Sequence, residues 1–291
     1  MLRNWKSSRG LAIIALICVT AVWGWTFIGV KEAVAKMTVM DFLAIRFSVA
    51  AVLLLFINPR KLLLINWRTL WHGLIIGFLL GMSYITQTFG LRTVSPSVSG
   101  FITGMGVVFT PVFLWVILQR SINRNIWIAV GLTVAGLALL SLHGWSFGVG
   151  ELLTLACAVF VALYVIALGE WSAQHDTYQL TVIQIFTVAV MCLVFAAPDG
   201  IAVPPDSSVW VTIFITAVLA SDAAFFIQTW AQTILSASLT AVVMTMEPVF
   251  AGLFSITLGG ERPTIRLIIG AVCVLGAMLI AQLKTAGKTS A

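Results

Sequence analysis

"QTFGLRTVSPSVSGFITGMGVVFTPVF", Gln87–Phe113, and "QTWAQTILSASLTAVVMTMEPVF", Gln228–Phe250, are two renderings of one pattern. Each opens on Gln-Thr-aromatic-small and closes on Pro-Val-Phe. The Gln-Thr pairs stand 141 residues apart and the Pro-Val-Phe triplets 137. The four-residue difference is about one helical turn, and it falls where one helix gives way to the next. The offset of 137 also lays Phe27 on Tyr164 and Asp41 on Tyr178, and "GLALL" from Gly136 meets "GAMLI" from Gly276 at 140. Self-similarity at a fixed offset implies two copies of one unit.

Composition says what the unit is made of. Of 291 residues 60% are hydrophobic and 9% charged, with a mean hydropathy of +1.09, which excludes a soluble globular domain. A spanning helix needs roughly 20 mostly apolar residues. The apolar runs predict helices near 11–30, 41–57, 69–90, 97–118, 126–142, 150–168, 178–197, 208–231, 237–258 and 265–283. That is an all-α membrane protein of ten helices, with a tail at 1–10, a first five-helix repeat at 11–142, a second at 150–283 and a tail at 284–291. Alternating strands at barrel spacing are missing, so a β-barrel is excluded. Five crossings per copy make the second copy enter from the opposite side: the repeats are inverted, and inverted repeats can open a midplane site to either face in turn.

The connections are short: "NPRKLLLINWR", "RSINRN" and "PDGIAVPPDSS" could not house a soluble domain. With residue 1 inside, ten Lys and Arg fall at inner helix ends, against Lys31, Lys36, Arg92, Arg262 and Arg266 outside. This places both termini in the cytoplasm, the second half leaning on helix parity. The net charge of +6 then reflects topology, not nucleic-acid binding. The first apolar run ends in "AVWGWTF", Ala21–Phe27, where a cleavage site would want small residues, so it reads as a retained helix. Cys18, Cys157, Cys192 and Cys273 fall within helices without C-x-x-C spacing and read as packing residues. The tail "AGKTS" lacks the earlier glycine of a phosphate loop, Gln282 standing there.

"AVWGWTF", "SGFITGMGVVFTPVF" and "MEPVFAGLFSITLGGERPT", together with the five-plus-five repeat, resemble the drug/metabolite transporter superfamily, EamA-type branch, over nearly the whole chain. Within it the chain resembles bacterial amino-acid and metabolite exporters, including the aromatic amino acid exporter group. The resemblance implies ten helices, cytoplasmic termini and a central cavity between the halves. "GGER", Gly259–Arg262, departs from the repeat, having no acidic partner in "LQRSINR" of the first half.

Polar groups at membrane depth are costly and call for a reason. Glu247, in the middle of the ninth helix, is a candidate coupling carboxylate, or a fixed contact bonding backbone N–H groups or pairing with Arg46. Asp222 shares a helical face with Phe225, Phe226 and Thr229, and is a candidate for substrate ammonium or proton, or for an interhelix hydrogen bond. Arg46 would hold a substrate carboxylate, or snorkel outward. Trp23 and Phe27, Tyr84 near Gln87, Tyr164, and Phe226 with Gln228 are candidate substrate contacts, or helix packing. Gln87, Gln228, Thr103, Thr110, Thr240 and Thr245 offer uncharged hydrogen bonds. Trp67, Trp71, Trp127, Trp145 and Trp210 read as an interfacial belt. Gly73, Gly77 and Gly81, and Gly100 with Gly104, read as close helix contacts. Pro111 and Pro248 each remove a backbone hydrogen bond and should kink or hinge their helices.

Phosphorylated substrates need several cations at depth, and only Arg46 is there. A zwitterion needs one cation and one or two carboxylates beside an apolar pocket. The expectation is a bacterial inner-membrane exporter of neutral or aromatic amino acids and related metabolites working by alternating access, monomeric and without cofactor or metal. A proton-coupled exporter of lipophilic cations and an uncoupled facilitator are the alternatives. An intramembrane enzyme is disfavoured, since His72, His143 and His175 lie at helix ends or in loops and no serine has a base beside it.

Overall fold

The computed structural model describes residues 2–94, 96–141, 148–258 and 265–283. The "GGER" segment, Trp145, His143 and the C-terminal tail lie outside them. In chain order the helices are α1 (Leu2–Lys36), α2 (Val39–Ile57), α3 (Pro59–Leu62), α4 (Trp67–Leu91), α5 (Pro96–Gly104), α6 (Gly106–Val116) and α7 (Arg124–Ser141). There follow α8 (Val149–Trp171), α9 (Thr177–Ala196), α10 (Ser207–Ala217), α11 (Ala224–Gln232), α12 (Ala237–Met244), α13 (Met246–Thr257) and α14 (Ile265–Leu283). No strand occurs among the described residues. Seven helices among them are long and apolar enough to cross a membrane, and shorter apolar helices accompany them. The molecule is a helical, multi-pass membrane protein.

Helix starts follow local side-chain chemistry. Thr38, Asn66, Asp176, Asp206 and Ser236 each accept a hydrogen bond from a backbone N–H of the turn they precede, satisfying donors that a helix start leaves open. The first helix is longer than its apolar run suggests: α1 begins at Leu2, where a tail was expected, and continues to Lys36. No proline interrupts that stretch, and polar residues alone do not stop a helix.

Three of the expected helices are not continuous rods. The fourth breaks at Met105, between Gly104 and Gly106, and the ninth at Thr245. Both breaks lie before the prolines, so Pro111 and Pro248 sit inside α6 and α13 and the kinks are displaced toward the N-terminus. A proline ring crowds the carbonyl four residues back, which for Pro248 is Met244, the last residue of α12. In the eighth, a π-helical turn, Val218–Ala223, joins α10 to α11.

Packing pairs the two halves helix by helix. α2 lies on α9, and α7 on α14. α4 packs on α8 and α9, while α10 and α11 pack on α1 and α10 on α2. α5 and α6 pack on α8 as α12 and α13 pack on α1. Each contact therefore recurs with the halves exchanged. One apolar cluster joins α1, α2, α4, α8, α9 and α10–α11, and a second joins α1 to α6, α7, α12, α13 and α14.

Glycine permits two of these approaches. A Cβ on Gly77 would come within 2.6 Å of Thr187 Cβ and 2.8 Å of Gln184 O on α9, and Gly73 and Gly81 face Ile183 and Met191 there. A Cβ on Gly24 would come within 2.7 Å of Ala251 N and 2.9 Å of Glu247 O, so the glycine of "VWGW" brings α1 against the start of α13. The prediction concerns the first. Gly77→Val forces α4 and α9 apart and should lower the thermal midpoint of purified protein, at a cost of about 1–3 kcal/mol. Gly131→Ala in α7, where nothing lies within 4 Å, should leave it unchanged or slightly raised.

Candidate functional site

A cavity lies between the halves, with about 680 Å³ of empty space when its open mouth is included. Trp23 and Phe27 of α1, Arg46 of α2, Tyr84 and Gln87 of α4, Tyr164 of α8, Gln228 of α11 and Glu247 of α13 all border it. These eight expected site residues are brought together from both halves. On α1 and α4 the wall runs through Trp23–Val30 and Leu80–Leu91, toward the helix ends that carry Lys36 and Arg92.

Arg46 does not snorkel. Its side chain is buried, at 3% exposure, and turns inward. Its Nε and Nη2 donate to Ser221 Oγ at 3.2 and 3.1 Å, and Nη2 reaches Tyr84 Oη at 3.5 Å. The guanidinium carbon stands 5.1 Å from the Phe47 ring centroid and 4.9 Å from that of Tyr84, within cation–π range. No carboxylate of the described residues lies within 4.0 Å of it. The expected pairing with Glu247 is not formed.

Glu247 is half-buried on the cavity wall, and no hydrogen bond or ion pair engages its carboxylate among the described residues. The cavity thus holds a cation with only neutral acceptors and a carboxyl group without a partner. Leaving such groups uncompensated in a low dielectric is costly, several kcal/mol per ion even after relaxation, roughly.

The π-helical turn explains why Ser221 and not Asp222 meets Arg46. Backbone bonds there run five residues back, as from Ala224 N–H to Leu219 O. The wider turn changes which residues share a face, and the indole Nε1 of Trp23 donates to Ala220 O at 2.9 Å. Two expectations based on α-helical spacing fail as a result. Phe226 faces away, 42% exposed, and Phe225 takes the wall, edge-on to Tyr84 and Tyr164. Asp222 is buried beside the site without bordering the cavity, its Oδ1 unpartnered. The 141-residue offset could have found Phe225, since it lies opposite Tyr84. No sequence signal marks Ser221.

Polar relays hold the walls. Tyr164 Oη donates to Gln184 Oε1 at 3.1 Å, whose Nε2 donates to Thr229 Oγ1 at 3.0 Å. Gln87 Nε2 donates to Thr103 Oγ1 at 3.1 Å, with the Cys157 thiol 4.0 Å from that hydroxyl. Thr110 and Thr245 border a smaller adjoining cavity that Glu247 also lines. Trp67, Trp71, Trp127 and Trp210 are exposed near helix ends, as a belt requires. No cluster of three metal-ligating side chains occurs among the described residues.

At the end opposite Lys36 the halves are strapped together by residues 170–176, a feature the sequence did not reveal. Glu170 takes Arg120 in a bidentate pair, Gln174 accepts from Arg68 at 2.8 Å, and Asp176 takes Lys61 at 2.7 Å. His175 Nε2 stands 2.8 Å from His72 Nδ1, while its Nδ1 meets Thr69 Oγ1 at 2.9 Å, and His72 stacks on Trp171. Two facing ring nitrogens 2.8 Å apart can share one proton, not two. Partial burial, then His72 and Arg68, hold His175 below its ordinary 6.5. For Asp176, burial acts upward but is outweighed by Lys61 and by the N–H groups of Gln179 and Tyr178, leaving it below 3.8. Among the described residues the far end carries one exposed pair, Lys36–Asp206 at 2.8 Å.

Comparison with known proteins gives the same architecture. The model of the EamA-like transporter family matches twice, over residues 10–142 and 148–282. An uncharacterized transporter of Archaeoglobus fulgidus is 31% identical over 276 residues, covering 94% of this chain and 85% of that one. The uncharacterized transporter YoaV of Bacillus subtilis is 28% identical over 279 residues, 90% of this chain and 93% of its own. A solved crystal structure superposes with a TM-score of 0.78 at 18% identity, covering 98% of this chain and 99% of that one, a likeness of fold alone.

The strap generates a pH prediction. A histidine held below its ordinary pKa favours its neutral form in the strapped state, so protonation as pH falls through 6.5 favours release. Asp176, held low, keeps its charge until well below pH 4 and contributes no change above it. Backbone amides at 170–178 should therefore exchange with deuterium several-fold faster at pH 5 than at pH 8, after correction for intrinsic rate. His175→Gln should remove most of that dependence.

Proposed function

Since the chain belongs to the EamA-like transporter family, we propose that it exports neutral or aromatic amino acids and related zwitterionic metabolites by alternating access through the central cavity. The observation that carries this is that Arg46 and Glu247, which line the cavity from opposite halves, have no counter-ion there: Arg46 meets only neutral acceptors, and the Glu247 carboxyl has no partner among the described residues. A zwitterion meets both needs at once: its carboxylate accepts from the Arg46 guanidinium and Tyr84 hydroxyl, and its ammonium donates to Glu247. Trp23, Phe27, Phe225 and Tyr164 offer planar surface for an apolar or aromatic side chain.

Two inverted five-helix units are part of the proposal. The exchange of contacts between halves supports them, as do the two family matches of similar length. The Lys and Arg distribution supports cytoplasmic termini in a bacterial inner membrane, which would put the 170–176 strap inside and the cavity mouth outside. In that assignment the structure is closed to the cytoplasm. Glu247 is the coupling carboxylate of this reading, because a proton on it and a substrate ammonium would compete for the same oxygens. Asp222, off the wall, is not needed for substrate contact and is retained as a second coupling candidate.

A substrate panel in proteoliposomes, with and without a pH gradient, tests the proposal. Saturable transport of phenylalanine, tryptophan or smaller neutral amino acids is expected. Arg46→Gln should reduce it at least ten-fold while sparing substrates that lack a carboxylate, and Glu247→Gln should leave exchange but remove the response to the gradient. If no amino acid shows saturable transport the reading fails; inhibition by organic cations alone would point to a cation exporter. Counterflow insensitive to both the gradient and Glu247→Gln would point to a facilitator.

A further inference from the structure

The repeat places Thr103 opposite Thr240 at the 137-residue offset and Gln87 opposite Gln228 at 141. In each half the glutamine stands near the end of one helix and the threonine in the N-terminal piece of the next, broken helix: α4 to α5, and α11 to α12. In the first half they are bonded, Gln87 Nε2 to Thr103 Oγ1 at 3.1 Å. In the second half they are not. Thr240 Oγ1 and Gln228 Oε1 are both buried without any hydrogen-bond partner. One is a donor lacking an acceptor and the other an acceptor lacking a donor, so each could satisfy the other.

A neighbour occupies the Gln228 amide nitrogen. Gln232 Nε2 donates to the backbone carbonyl of Val165 at 2.7 Å, and this fixes which end of its amide is oxygen. That oxygen accepts from Gln228 Nε2 at 3.3 Å, and Met244 Sδ lies 3.5 Å from the same nitrogen. The residue opposite Gln232 is Leu91, so Gln87 has no such rival. Thr110, Thr154, Thr181, Thr187 and Thr216 each turn their hydroxyl to the carbonyl four residues back, and Thr240 does not.

We infer that Gln87–Thr103 and Gln228–Thr240 are the two positions of one repeated hydrogen-bond switch, made in the first half and broken in the second in this state, and exchanged in the opposite-facing state. The inference rests on the alternating-access reading. The bond couples the piece of the broken helix that precedes Met105 or Thr245 to its neighbour, so making it in one half and breaking it in the other lets α5 and α12 swing in turn. Through its unpartnered Oε1, Gln228 could accept from Thr240 while keeping its bond to Gln232, so one bond is lost for each bond gained and the two states stay close in energy, as a reversible carrier requires.

The test uses the full chain in proteoliposomes, with spin labels on non-natural amino acids at two exposed cross-half pairs, Leu64 with Ala173 and Arg92 with Val203. Distance distributions are recorded with and without phenylalanine. Thr103→Val should shift the population by about five-fold toward the state with Leu64 and Ala173 apart, and Thr240→Val by a similar factor toward the state described above. The double substitution should return the distribution toward that of the unsubstituted chain, and Thr→Ser at either position should leave it unchanged. Valine matches threonine in shape, and a second readout, the thermal midpoint, identifies any variant that is simply misfolded. Shifts in the same direction, or none, against two populations in the unsubstituted chain overturn the switch alone. A single distribution at both ends, with or without phenylalanine, overturns alternating access and the switch together.

Discussion

An arginine buried to 3% exposure with a serine and a tyrosine hydroxyl as its acceptors is the interaction around which the cavity is built. A guanidinium carries five donors and loses strong hydration on burial, so its surroundings must be arranged to face it. Ser221 reaches it only because the eighth helix widens into a π-helical turn, and that turn is in turn tied by the Trp23 indole bonding Ala220 O. Phe47 and Tyr84 lend their ring faces. Four helices are thereby committed to one side chain, α1, α2, α4 and the π-helical turn, drawn from both halves of the chain.

The fold is repeated, and the chemistry is where the repeat fails. Tyr84 lies opposite Phe225 and Phe27 opposite Tyr164, so the aromatic lining is shared between the halves with a hydroxyl on alternate members. Arg46, by contrast, lies opposite Ile183, and Glu247 opposite Thr110. Aromatic rings can face either half of a two-fold cavity without penalty. A cation and an anion on different halves cannot, and they give the cavity a polar direction that fixes how a dipolar substrate lies in it.

Much of the fold was legible because lipid imposes simple rules on it. Apolar runs of spanning length gave the helix positions, and "QTFG"/"QTWA" with "FTPVF"/"MEPVF" gave the duplication. Gly77 was readable as a close contact, since a missing side chain has few other uses inside a helix, whereas Gly24 was not singled out. What was not legible depends on backbone deviations or on partners distant in sequence. Phe226 was expected on the wall because α-helical spacing was assumed through a π-helical turn. Pro111 and Pro248 were expected to kink their helices, but the breaks fall earlier, at Met105 and Thr245, and only the second lies within the turn before its proline where ring strain is felt. The strap of Glu170, Gln174, His175 and Asp176 consists of ordinary polar residues at a helix end and the turn after it, whose partners lie 50 to 115 positions away.

The displaced break also bears on Glu247. Because the ninth helix interrupts at Thr245 and not at the proline, Glu247 is the second residue of α13 and stands in its first turn. The backbone N–H groups of a first turn are unpaired within the helix and carry partial positive charge, which favours an anion placed there. Gly24 lets α1 press against this same turn, closing it off from lipid. The first half shows what the arrangement would be without this device: its break comes at Met105, earlier relative to Pro111, so Thr110 lies well inside α6 and bonds Gly106 O within its own helix. Shifting the break moves residue 247 from a position suited to an uncharged hydroxyl to one in a helix's first turn, where open N–H groups suit a carboxyl, with the cavity in front of it.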